Sequence, residues 1–340
     1  MSTSDRGGAE PRSVNRPQPN GFPANPTICF AHVAYRCAER FAARGAPFPH
    51  FEVRSVDELQ ARIAQADVLV VSGFWRNTLP ALTPRLKFVQ SLSAGTDQYD
   101  RPTFKRHGIA LASAAGGNAA AVSEHAVSLM LGITRKLFIA RDDQHRKFWS
   151  GMKGDFTQRE DELNGKTAVV IGMGAIGKRV IRVLKALDMT VIGVRANPAA
   201  GAEGADEVHS TASLPHILPR ADFVVLVCPL TAETTGLING AALAAMKPSA
   251  YLINCARGKV ADEEALIAAL QGGTIRGAGL DVMATEPLPP ESPLWTLPNA
   301  FLTPHTAGET CAYEDNVLDL MMENIARLQA GREDLVNRIV

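Results

Sequence analysis

Apolar residues in this chain fall in short unbroken blocks separated by stretches of helical period. The blocks at 67–72 and 167–171 show no polar alternation, so strands there are predicted to be buried on both faces. Blocks at 27–31 and 86–92 predict two more strands in the first part of the chain. Later blocks at 189–194, 222–227, 250–254, 277–281 and 300–303 complete a second set of six with 167–171. Helical spacing appears between them. Ser55 stands where it can cap a helix. Val122, Ala126, Leu129, Met130, Ile133 and Leu137 form one long apolar stripe, with Ser123 as a candidate cap, and predict a helix crossing between two domains. Lys178 to Leu187 predicts another helix, and Val317, Leu320, Met321, Ile325 and Leu328 a last one that returns to the first domain. Strands alternating with helices mean parallel α/β sheets, here two doubly wound ones.

Composition narrows the class. The chain has 340 residues, 46% hydrophobic and 21% charged, with zero formal net charge. A length of this order suggests two domains, and the charge balance gives no sign of a nucleic-acid partner. No run is long enough to span a membrane. Cys29, Cys37, Cys228, Cys255 and Cys311 show neither close pairing nor metal-ligand spacing, so they read as reduced thiols of a cytoplasmic protein without a metal. Residues 1–26, rich in Pro, Gly, Asn and Ser, read as a disordered leader.

Gly172-Met173-Gly174-Ala175-Ile176-Gly177 follows a predicted strand and opens a predicted helix. That is the context in which G-x-G-x-x-G binds a dinucleotide. Gly172 allows the tight turn, Gly174 the approach of a pyrophosphate, and Gly177 close helix–strand packing. The next strand ends at Arg195, and 190–198 contains no acid for a ribose 2′-hydroxyl. An arginine there suits a 2′-phosphate, so NADPH is expected over NADH, with a plain solvated charge at Arg195 as the alternative.

Three residues then follow successive strand ends: Arg257 in Asn254-Cys255-Ala256-Arg257-Gly258, Glu286 in the segment from Asp281, and His305 in Thr303-Pro304-His305-Thr306-Ala307-Gly308. Hydride delivery to a keto carbon leaves an alkoxide that needs a proton, and histidine suits that task. A carboxylate at Glu286 would tune His305 and fix its tautomer, and Arg257 could clamp a substrate carboxylate. Taken singly, Arg257 could be a structural ion-pair residue, Glu286 a turn residue and His305 a core histidine.

These motifs resemble the D-2-hydroxyacid dehydrogenases, which include glyoxylate/hydroxypyruvate reductases, D-lactate dehydrogenase and phosphoglycerate dehydrogenase. The resemblance runs from about Thr27 onward and includes Cys228-Pro229-Leu230-Thr231. It implies a flavodoxin-like substrate domain of residues 27–121 and 308–340, and a Rossmann NAD(P)-binding domain of 122–307, with substrate in the cleft between them. It implies Arg257, Glu286 and His305 as catalytic residues. Ala94 and Gly95 would give the substrate carboxylate their N–H groups. Ala175 and Ile176 would meet the cofactor inside the glycine loop, with Ile176 facing the pyrophosphate. Cys228, Pro229, Cys255, Ala256 and Gly308 would lie along the cofactor, and Asp281 would hold the nicotinamide carboxamide.

The resemblance also implies a homodimer through the cofactor domain, with 142–162 near the two-fold axis. Glu286 separates the chain from formate dehydrogenases, which pair the histidine with glutamine. The chain stops after its return helix, where many phosphoglycerate dehydrogenases continue into a regulatory domain. Arg195 is similar to the NADPH-using glyoxylate and hydroxypyruvate reductases, so those small 2-keto acids are the expected substrates. Co-repressor-like dimers that bind NAD(H), and phosphite dehydrogenases, share a similar triad and stay open as alternatives. Trp149, Trp295, Phe74 and Trp75 are aromatic candidates for shaping a substrate pocket or for plain packing.

Overall fold

A computed structural model describes residues 21–340. Most of the leader expected over 1–26 therefore lies outside the described residues. Its last part does not match the expectation: Phe22 is buried, and the carbonyl of Ala24 accepts from Gln329 Nε2 at 2.8 Å.

The chain divides into two compact units. Residues up to Ala114 form one together with Glu314–Val340, and Ala115–Tyr313 form the other. The first runs β1 (Ile28–Ala31), α1 (Cys37–Ala43), β2 (His50–Val53), α2 (Val56–Arg62), β3 (Val68–Val71), β4 (Phe88–Ser91), α3 (Arg101–His107) and β5 (Ala110–Ala112). Its strands are parallel in the order β2-β1-β3-β4-β5, the flavodoxin-like doubly wound arrangement. Ser55 caps α2 as expected, its hydroxyl accepting from Glu58 N at 3.2 Å. The two strands not foreseen, β2 and β5, are sheet edges. One carries His50 and Glu52 and is only partly buried, and the other is three residues long, so neither forms an apolar block. Trp75 is not a pocket wall but core: it stacks on Phe104 at 4.7 Å between ring centres and packs against Tyr99.

The second unit runs α4 (Ala119–Thr134), α5 (Leu137–His145), β6 (Thr167–Ile171), α6 (Ala175–Ala186), β7 (Thr190–Val194), β8 (Glu207–His209), α7 (Leu214–Ile217), β9 (Phe223–Leu226), α8 (Gly240–Ala245), β10 (Tyr251–Asn254), α9 (Glu263–Gln271), β11 (Gly277–Leu280) and β12 (Ala300–Leu302). Its sheet is parallel in the order β12-β11-β10-β9-β6-β7-β8. The order reverses between β6 and β9, the switch point where such sheets bind ligands. The strand absent from the sequence reading is β8, a short polar edge. One core, with α4 and α6, fills one face; α8 and α9 cover the other.

The long helix is shorter than its apolar stripe. Lys136 turns left-handed at φ 51°, so α4 ends at Thr134 and Leu137 begins α5, exposed. Ser123 is not the cap; it lies inside α4 and donates to Ala120 O at 2.7 Å, while Asn118 stands at the cap position. The return helix α10 (Tyr313–Gln329) buries Val317, Leu318, Met321 and Ile325. Its buried Asn324 donates to Gln90 Oε1 of β4 at 3.2 Å and accepts from Val336 N at 2.7 Å, which fixes the helix on the first sheet.

Leu69, fully buried on β3, tests this packing. Leu69→Ala is expected to lower stability by about 2–5 kcal/mol. Urea unfolding followed by circular dichroism reads the loss; a change under about 1 kcal/mol contradicts the packing described.

Candidate functional site

The glycine loop joins β6 to α6 at the switch point. At Gly172 (φ 103°) an added Cβ would lie 2.7 Å from the backbone of Cys228, and at Gly177 it would lie 1.8 Å from the Gly172 carbonyl oxygen. Both glycines are therefore required by the protein's own backbone. At Gly174 an added Cβ meets nothing within 4 Å. Gly174 borders open space, where phosphates can approach the main chain. No side chain caps α6, so the N–H groups of Ala175, Ile176 and Gly177 at its first turn are available to an anion. The loop thus fits a dinucleotide pyrophosphate.

Cys228 and Pro229 follow β9 beside this loop, Cys228 buried and Pro229 exposed. Burial pushes the Cys228 thiol up to about 11 and also raises Cys255, so both stay neutral near pH 7 and are poor nucleophiles. Arg195 directly follows β7, and its Nη1 donates to Gly201 O at 3.0 Å. The surroundings of Arg195 are not free of acid, as 190–198 suggested. Glu203 Oε1 lies 3.9 Å from its Nη1.

Three adjacent strands carry the other candidates to one sheet edge. Asn254 of β10 pairs with Leu280 of β11, which pairs with Leu302 of β12. Buried Asn254 accepts from Ala256 N at 3.0 Å and donates to Arg257 O at 3.2 Å, shaping the turn through Cys255 and Ala256 that presents Arg257. At Gly258 an added Cβ would lie 1.9 Å from the Met283 carbonyl carbon, so only glycine lets this turn seat against the segment leading to Glu286. Glu286 Oε1 accepts from Met283 N at 2.9 Å, and Oε2 lies 2.6 Å from His305 Nδ1. An ionised carboxylate only accepts, so Nδ1 carries the hydrogen and Nε2 is left to exchange a proton.

His305 has φ 55°, a left-handed conformation unusual for a non-glycine residue. Its N–H donates to Asp281 O at 2.8 Å. The Asp281 carboxylate is 2% exposed. It accepts from Thr303 Oγ1 at 2.7 Å, Thr306 N at 3.0 Å and Ala307 N at 3.1 Å. Thr303 in turn lies 2.9 Å from His125 Nε2 of α4. Because the threonine hydroxyl hydrogen goes to Asp281, His125 is the donor in that contact. Gly308 faces the Asn118 side chain, whose Nδ2 would be 2.8 Å from an added Cβ. The Asn118 amide oxygen is buried with no hydrogen-bond partner among the described residues.

Thr303, His125 and Asn118 were missed by the sequence reading. The only signals were a hydroxyl beside Pro304 and an Asn ahead of an apolar helix. A cavity of about 590 Å³ opens beside His305 and Glu286, walled by Met283, Leu288, Trp295 and Leu302. Trp295 is thus placed beside the candidate centre. Trp149, by contrast, is 94% exposed and packs on little of its own unit. Ala94 and Gly95 lie in the first unit, past the end of β4, and are partly buried. Among the described residues no group of three His, Cys, Asp or Glu could hold a metal, and no helix is long and apolar enough to cross a membrane.

The family described as D-isomer specific 2-hydroxyacid dehydrogenase, NAD binding domain, matches residues 127–307. The chain belongs to the D-isomer specific 2-hydroxyacid dehydrogenases. A glyoxylate/hydroxypyruvate reductase B of Yersinia pestis is 35% identical, over 85% of this chain and 91% of the relative. A D-3-phosphoglycerate dehydrogenase of Synechocystis is 37% identical over 73% of this chain, which spans only 44% of that longer protein. Among solved structures, an NADPH-dependent glyoxylate/hydroxypyruvate reductase of Sinorhizobium meliloti in complex with NADP and malonate superposes with TM-score 0.78. It is 28% identical, covering 93% of this chain and 97% of that one. As a member of this dehydrogenase family the protein is an NAD(P)-dependent oxidoreductase, of a family that acts on small 2-hydroxy or 2-keto acids.

The glycines of this dehydrogenase separate folding from ligand contact. Gly177→Ala is expected to lower the melting temperature by several degrees, because its Cβ would overlap the Gly172 carbonyl. Gly174→Ala is expected to leave melting within about a degree. Calorimetry of the two variants checks this, and equal losses would contradict the loop geometry.

Proposed function

We propose that the protein reduces small 2-keto acids, glyoxylate or hydroxypyruvate foremost, with NADPH as the preferred cofactor. Ala115–Tyr313 serves as the cofactor domain, and the other unit as the substrate domain. The observation that carries this reading is the 2.6 Å contact of His305 Nδ1 with Glu286, at the sheet edge that also presents Arg257. Bound reduced nicotinamide supplies the hydride. Arg257 binds the substrate carboxylate and draws charge onto the carbonyl oxygen through its planar fork. His305 gives its Nε2 proton to that oxygen as negative charge develops there. Glu286 holds the ring in the required tautomer and stabilises it when charged. Asp281, besides any contact with the carboxamide, keeps the His305 segment in place. Arg195 favours the 2′-phosphate. The relatives named as glyoxylate/hydroxypyruvate reductases support this substrate class.

Purified enzyme is expected to oxidise NADPH with glyoxylate or hydroxypyruvate, read as loss of reduced-nicotinamide absorbance across a panel of keto acids. No turnover with any member would favour a cofactor-binding dimer without this chemistry. His305→Gln is expected to reduce kcat by about 10²–10⁴ with little change in cofactor affinity. Arg257→Ala is expected to raise KM and lower kcat together, and unchanged kinetics would remove it from the centre.

A homodimer is part of the same proposal. Leu137, Ile139, Phe148, Trp149, Met152 and Phe156 are all exposed within 137–156, with Met152 at 103%. So many large apolar groups exposed in one segment support an interface there. Sedimentation is expected to show a dimer, and Trp149→Asp combined with Phe156→Asp a monomer. A monomeric parent protein overturns this part.

A further inference from the structure

The region around Arg195 holds a second cation and an acid that the sequence spacing did not connect. Lys178 lies in the first turns of α6, close to the glycine loop. Its Nζ donates to Glu203 Oε1 at 2.8 Å, the same oxygen that lies 3.9 Å from Arg195 Nη1. One carboxylate oxygen therefore serves two cations, and both belong to elements that frame the dinucleotide loop. The side chains of Arg195 and Glu203 are 22% and 28% exposed, so the cluster is only partly screened by water.

The backbone holds Glu203 in place. Ala205 N donates to Ala202 O at 2.9 Å, closing a turn whose central residues, Glu203 and Gly204, have φ 52° and 91°. Two positive φ values make this a type I′ turn, which favours Asn, Asp or Gly at its first central position. A glutamate there is held against its local preference. Asp206 anchors the far side of the loop, accepting from Lys185 Nζ at 2.8 Å and Val191 N at 2.7 Å. Glu203 is thus a fixed charge rather than a freely moving surface acid.

We propose that Glu203 sets how strongly the protein discriminates between the two nicotinamide cofactors, by competing with a 2′-phosphate for Arg195 and Lys178. The proposal rests on the reading of Arg195 as the 2′-phosphate residue. A 2′-phosphate brings roughly 1.5 to 2 negative charges and three acceptor oxygens, enough to draw both cations from one carboxylate. Glu203 opposes this twice: it occupies the cations beforehand, and it repels the phosphate as a like charge. A neutral 2′-hydroxyl meets no such opposition and can donate to the carboxylate. The acid therefore lowers the preference for NADPH below what Arg195 and Lys178 would give alone.

Calorimetric titration of 2′-phospho-ADP-ribose and ADP-ribose reads this without catalysis, and kcat/KM for NADPH and NADH reads it in turnover. Glu203→Gln keeps the side chain's size and removes its charge. It is expected to shift the Kd ratio toward the phosphorylated ligand by about tenfold, or about 1.4 kcal/mol. Adding Arg195→Ala to that variant is expected to abolish the gain. A Kd ratio within about twofold of the parent, or equal weakening of both ligands, overturns the role of Glu203. Arg195→Ala alone separates the two readings. If it leaves the ratio unchanged, the 2′-phosphate reading of Arg195 fails and the Glu203 proposal with it. If it collapses the ratio while Glu203→Gln does not move it, only the Glu203 proposal fails.

Discussion

The buried carboxylate of Asp281 is the constraint on which the candidate centre depends. A charge 2% exposed persists only if its acceptor positions are filled, and here a threonine hydroxyl and two backbone N–H groups fill them. All three donors lie within 303–307, so satisfying the charge also folds the segment that carries His305. The main-chain carbonyl of Asp281 adds the bond to His305 N, holding that residue at positive φ. Left-handed backbone at a histidine survives only where its surroundings over-determine it. Through Thr303 the network reaches His125, so α4 is tied to the same carboxylate.

Parallel strands do the rest of the positioning. β10, β11 and β12 run in register, so their carboxyl ends lie side by side, and each delivers one candidate group. Gly258 lets the first two turns touch, and the Glu286 carboxylate joins the second to the third through Met283 N and His305 Nδ1. The wall of Met283, Leu288, Trp295 and Leu302 makes one side of this pair apolar.

Much of this was legible in the sequence because the central strands are uninterrupted apolar blocks and the motifs follow their ends. Arg257, Glu286 and His305 could be placed at one sheet edge from strand order alone. The glycine loop could be read because its context, strand before and helix after, is local. What escaped was of three kinds. Short edge strands such as β2, β5 and β8 carry polar residues, since an edge need not be buried, and so they leave no apolar block. The end of α4 escaped because apolar periodicity continued through Leu137 while the backbone broke at Lys136. Contacts made by chain return were also invisible: His125 meets Thr303 across 178 positions, and no spacing rule connects them.

Glu203 shows the same limit at closer range. The stretch 190–198, where a ribose-binding acid is expected after β7, contains none. A loop with Gly201 at φ 108° and Gly204 at φ 91° then folds the chain back on itself. A residue outside the expected window thereby reaches the charge of one inside it. Reading cofactor preference from the residue at the strand end assumes that this residue acts alone. Here it does not: the potential felt by a ligand near Arg195 is the sum over two cations and one acid, and the acid is fixed by the turn that carries it. The candidate centre and the surroundings of Arg195 are thus built from different kinds of structure. The first is built on sheet register and a buried charge, which tolerate little change. The second is built on a partly exposed loop, held by a tight turn and ion pairs rather than by the sheet.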